Sequence, residues 1–159
     1  MTLFCVHQAV FRKTDADGNG AKDYWTADVA GFYALEYPDG GSMMKYIDVA
    51  QAKADVKPRK ETYSWQPPLE PEPCAGYLWK VIEREADGKP YCRDDDGDGK
   101  SYTNPSKYAV CTFPAEYGKV GVYTFIVNEK KVVYRKDIGG APVEQWPAGD
   151  LIERGWEVD

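Results

Sequence analysis

The chain has 159 residues, 43% of them hydrophobic and 29% charged, which suits one globular domain with a real core. A net charge of −6 and a pI near 4.9 argue against a nucleic-acid partner, because phosphate binding needs clustered Lys and Arg. No run approaches the ~18 apolar residues needed to cross a membrane, and Met1 is followed by a short mixed segment rather than a signal peptide.

Residues 2–13 predict a helix. Leu3, Val6, His7, Val10 and Phe11 fall on one stripe at i, i+3, i+4, i+7 and i+8 and are expected to face the core. His7 is the only histidine, so a packed ring is the expectation rather than a metal or catalytic role. A loop follows in which Asp15, Asp17, Asn19 and Asp23 occupy positions 1, 3, 5 and 9 of an EF-hand-like spacing, with Gly20 at position 6. The carbonyl of Ala21 would be a further oxygen ligand, and calcium is the candidate ion. Thr26 stands where a bidentate Glu belongs, with Asp28 as a substitute; a plain Asx turn is the alternative.

A second helix is predicted over 26–37, with Thr26 or Asp23 as N-cap and Val29, Phe32 and Tyr33 on one face. A third is predicted over 45–55, with Tyr46, Ile47, Ala50 and Ala54 sharing a face. Lys57-Pro58-Arg59-Lys60 reads as solvated loop. The prolines of 57–75 make that stretch an extended connector packed on the surface.

The second half reads as strands: 76–82, 108–113, and a hairpin of 122–127 with 132–135. Short connections imply an antiparallel sheet. Between the first two strands, Asp94, Asp96 and Asp98 form a second, poorer calcium candidate, with Tyr102 and Pro105 at positions 9 and 12; an exposed acidic loop is the blander account. The tail, 139–159, is expected to be irregular and anchored by Trp146 and Trp156.

Four cysteines, Cys5, Cys74, Cys92 and Cys111, contain no CxxC pair, which disfavours redox-motif and four-Cys zinc readings. Two disulfides or four buried thiols remain open. If the first two strands pair antiparallel, Cys74 is expected near Cys111, with Cys92 competing for either and Cys5 pairing with Cys92 or staying free.

Phe113-Pro114-Ala115-Glu116-Tyr117-Gly118, then Gly121 to Asn128, then Val133 to Asp137 resemble the YPAEYG…TFIVN…VYxKD signature of an uncharacterised family of exported bacterial proteins, a domain of unknown function. Gln8 to Arg12, Asp17 to Gly20 and Asp23-Tyr24-Trp25 are similar to pilin-like members of that group. Helix first, then a sheet opening on Gly-Tyr-x-Trp, also resembles type IV pilin and pseudopilin headgroups. The chain lacks a prepilin-peptidase site and the long apolar helix of a pilin, and the family implies no catalytic residue.

The expectation is therefore a single α+β domain, residues 1–159, with N-terminal helices packed on an antiparallel sheet of about four strands as in a pilin headgroup. Its parts are a helical portion (1–56), the connector (57–75), and the sheet with its tail (76–159). The expected function is a non-catalytic structural or assembly subunit of an extracytoplasmic complex, whose partner is itself or another envelope protein. A calcium-stabilised binding module is the alternative, and a hydrolase built on paired carboxylates the third reading. Glu116 and Tyr117 are expected to form a strand-ending turn in which Glu116 caps backbone amides.

Overall fold

β-branched and aromatic runs that alternate about two faces pair into a sheet when each face has something apolar to cover it. The computed structural model describes residues 1–16, 18–35, 45–59, 64–92 and 102–159. Its centre is a five-stranded antiparallel sheet built from β2 (Tyr77–Val81), β4 (Ala109–Pro114), β5 (Tyr123–Asn128), β6 (Tyr134–Asp137) and β7 (Glu157–Val158), side by side in that order. The first three follow the predicted runs closely. Around them stand α1 (Thr2–Thr14), α2 (Gly31–Ala34), α3 (Val49–Lys53) and a two-stranded ribbon of β1 (Tyr24–Trp25) with β3 (Thr103–Asn104).

β4 is buried on both faces, and its side chains divide accordingly. Val110 faces one core with Phe4, Phe11, Phe32, Trp79 and Val127. Cys111 and Phe113 face a second core with Ile126, Val143, Leu151 and Trp156. The N-terminal third of the chain covers the first face and the C-terminal tail covers the second.

This corrects the expected pilin-like α+β architecture. The described chain is dominated by sheet, with five strands in the main sheet instead of four. Among the described residues, helix is confined to segments of 13, 4 and 5 residues. The tail supplies β7, although Trp156 anchors it as expected.

The predicted helix over 26–37 shrinks to Gly31–Ala34 because local side-chain bonds compete with the helical ladder. The Asp28 carboxylate takes the Gly31 N–H at 2.9 Å and the Trp25 indole N–H at 3.1 Å. Of the third helix only 49–53 forms. Asp48 caps it by accepting the Ala50 N–H, and Gln51 reaches back to the Asp48 N–H. Ala50, expected on the buried face, is exposed, whereas Ala52 and Ala54 are buried.

α1 is present but turned relative to the expectation. Phe4, Cys5, Gln8 and Phe11 face the core, and Leu3, Val6 and Val10 are 59%, 51% and 36% exposed. Two apolar stripes compete on this helix, and the one with the larger aromatic area is buried. Phe4 packs edge-on against Phe32 at 5.1 Å, and Phe11 does the same at 5.7 Å. Gln8 on that buried side donates to the Trp25 carbonyl at 2.6 Å, tying α1 to β1.

Candidate functional site

The first acidic loop folds on its own backbone. Asp15 sits in left-handed conformation at the C-cap of α1, and its carboxylate accepts the Gly20 N–H at 3.2–3.3 Å. Asn19 accepts the Ala21 N–H at 2.7 Å and donates to Asp23 at 3.2 Å, and Asp23 itself is buried. This is the hydrogen bonding of an Asx turn. Asp17 and the second candidate set, Asp94, Asp96 and Asp98, lie outside the described residues. Among the described residues no group of three or more His, Cys, Asp or Glu side chains is placed to hold a metal ion.

All four cysteines are free. The expected Cys74–Cys111 bridge fails on register. Cys111 lies opposite Lys80 in the middle of the β2–β4 ladder, whereas Cys74 precedes β2 and bridges to Tyr77. The two thiols also belong to different cores, Cys74 beside the first and Cys111 within the second. Burial pushes the Cys111 thiol up to about 12. Glu116 pairs with Lys119 instead of capping amides, and the Tyr117 hydroxyl donates to Asp137 at 3.0 Å.

The feature with the most chemistry is a cleft of about 350 Å³ between the N-terminal layer and the end of β2. One wall is Thr26, Ala27 and Lys57-Pro58-Arg59; the other includes Val81, Glu83, Arg84 and Cys92. Two buried carboxylates fix the first wall from behind. Asp28 (0% exposed) accepts the Arg59 N–H at 2.7 Å. Asp55 (3% exposed) accepts the N–H groups of Val29 at 2.7 Å, Ala30 at 2.9 Å and Lys57 at 2.9 Å. Burial, reinforced by the neighbouring Asp28, raises the Asp55 carboxyl to about 7 against the pull of those amides. Both carboxylates are committed to backbone amides, and neither lines the cleft.

Within the cleft, Lys57 pairs with Glu83 at 2.6 Å, and the half-buried Glu83 also lies 3.5 Å from the largely buried Lys80. Burial tends to raise the Glu83 carboxyl, but the two lysines hold it below its usual range. The Cys92 S–H donates to the Thr26 carbonyl at 3.2 Å, and the Thr26 hydroxyl lies 3.4 Å from the sulfur. Burial raises this thiol's pKa, so it is held as the neutral S–H rather than as a nucleophilic thiolate. The Arg59 guanidinium lies 3.9 Å from the same sulfur and 5.4 Å from the Tyr102 ring centre.

Sequence reasoning passed over this cleft by treating Lys57 to Lys60 as solvated loop. The available signal was a basic run with a central proline in an otherwise acidic chain.

A second, apolar cleft of about 300 Å³ lies where α1 begins. Met1 and Thr2 line it together with Tyr77, Trp79, Phe125 and Val133. Among the described residues no helix is long and apolar enough to cross a membrane. No curated protein and no solved structure matches the chain. The family model described as Protein of unknown function (DUF2950) matches residues 42–150, well over half of the chain, and the chain belongs to that family.

Proposed function

We propose that this chain is a non-catalytic assembly subunit of an extracytoplasmic complex, and that it associates with a second copy of itself through the outer face of α1. The observation that carries this reading is the exposed stripe of Leu3, Val6 and Val10. A helix normally buries its apolar stripe, and contiguous exposed apolar surface marks interaction sites. The stripe starts at the helix turn that also borders the apolar cleft, so helix face and cleft together offer more than either alone toward the ~800 Å² per partner of a stable interface.

Charge favours a second copy as the occupant. The molecule carries −6, so two copies repel over most of their surfaces. α1 contains no Asp or Glu and ends on Arg12 and Lys13, so this face is where two acidic molecules approach at least cost. Sedimentation velocity over a concentration series tests the reading. The wild type is expected to show reversible dimerisation, and V6E/V10E is expected to remain monomeric with the melting temperature of the dilute wild type, because both side chains face solvent in the single chain. A wild-type monomer at every concentration would sink the proposal.

A further inference from the structure

We propose that the cleft between the N-terminal layer and the end of β2 binds a small organic anion, carboxylate or phosphate in character, through Lys57, Arg59 and Arg84. Among the described residues, three positive side chains line this cleft and one negative, Glu83, in a molecule whose overall charge is −6. Concentrating cations against the net charge costs repulsion among them, and an anionic ligand relieves it. The volume, about 350 Å³, falls at the small end of ligand sites.

The three cations are differently committed, and this shapes the recognition. Arg84 donates from Nη1 to the Gly88 carbonyl at 3.0 Å and makes no ion pair with any described residue. Its remaining guanidinium edge suits the two oxygens of a carboxylate or phosphate. Lys57 is held by Glu83, but both side chains are solvent-accessible, so the pair is weak and readily exchanged. Glu83 keeps Lys80 as a partner at 3.5 Å, so an incoming oxyanion can take Lys57 without stranding the carboxylate. Arg59 is presented by a rigid wall, since its own N–H and that of Lys57 are fastened to Asp28 and Asp55. A preformed wall lowers the ordering cost of binding. The neutral Cys92 thiol adds no competing negative charge.

The test is calorimetric titration and thermal melting with citrate and with inorganic phosphate, against chloride at matched ionic strength. Saturable binding of either probe, with a raised melting temperature, is the expected result. Binding of citrate alone or of phosphate alone identifies the oxyanion class. R84Q, at an exposed position, is expected to weaken binding roughly tenfold, the scale of one charge-assisted contact. E83Q is expected to change affinity in the opposite direction, tightening it several-fold because it removes the negative charge from the cleft. No saturable binding of either probe overturns the proposal. So does binding that R84Q and E83Q leave unchanged or shift in the same direction, because surface screening would behave that way.

Discussion

Among the carboxyls, Asp55 is shifted far from its free form. Its carboxyl has an ordinary value of 3.8 and is raised to about 7 in the fold. Between those values the folded chain holds a proton that the unfolded chain has released. Raising the pH from about 4 to 7 therefore increasingly favours the unfolded chain, which has already lost that proton, and lowers stability. The Asp55 contribution is complete below pH 4 and gone above pH 7, with an amplitude on the order of a few kcal/mol. Urea midpoints across this range should decline with pH more steeply in the wild type than in D55N. A wild-type-minus-mutant difference that is flat with pH would show that the proton does not reside there. Glu83, whose carboxyl is lowered by its lysines, contributes with the opposite sign at the acid end and cancels in that comparison. D55N should itself be less stable below pH 4 by about 1–3 kcal/mol, since its amide nitrogen must face a backbone N–H that a carboxyl oxygen now accepts. Little of this was legible beforehand. Spacing drew attention to Asp15 and Asp23, whereas the importance of Asp28 and Asp55 arises from partners 25–31 positions away that folding brings to them.

At the scale of elements, the sheet was the readable part. Runs such as Tyr77–Val81 and Tyr123–Asn128 alternate about two buried faces, and period two survives translation into structure. The misread elements depend on distant partners. β1 is two residues long and exists through β3, nearly eighty positions on, with the Thr26 N–H donating to the Tyr102 carbonyl at 2.8 Å. The face of α1 was ambiguous because the helix carries two apolar stripes, and only the aromatic cluster it meets decides between them. α2 shows a similar dependence at Gly31. A methyl group there would lie 2.5 Å from the Trp25 indole nitrogen, which is itself fastened to Asp28. G31A should therefore destabilise the chain by about 1–3 kcal/mol, although alanine is the better helix former. A melting temperature equal to or above the wild type would show that the Trp25–Asp28 link is slack.

Over the whole molecule, the sheet is a partition between two cores built from opposite ends of the chain. Residues from Phe4 to Ala54 close one side, and Val143 to Trp156 close the other. The Thr112 hydroxyl lies 3.7 Å from the Met1 sulfur across 111 positions of sequence, which measures how far the first face must wait for its strands. A chain emerging from the ribosome at ~5–20 residues per second would hold Phe4 and Phe11 without their sheet for on the order of ten seconds. Contacts of this range also place refolding in the slow class of β-rich domains rather than that of helical bundles. Helix α1, synthesised before the strands it packs on, is thus expected among the last elements to consolidate. Truncating Phe4 to alanine should accelerate unfolding and leave the refolding rate nearly unchanged. During that interval both stripes of the helix, the aromatic one destined for the core and the aliphatic one that stays outside, are presented together, so the newborn chain is far stickier than the finished one.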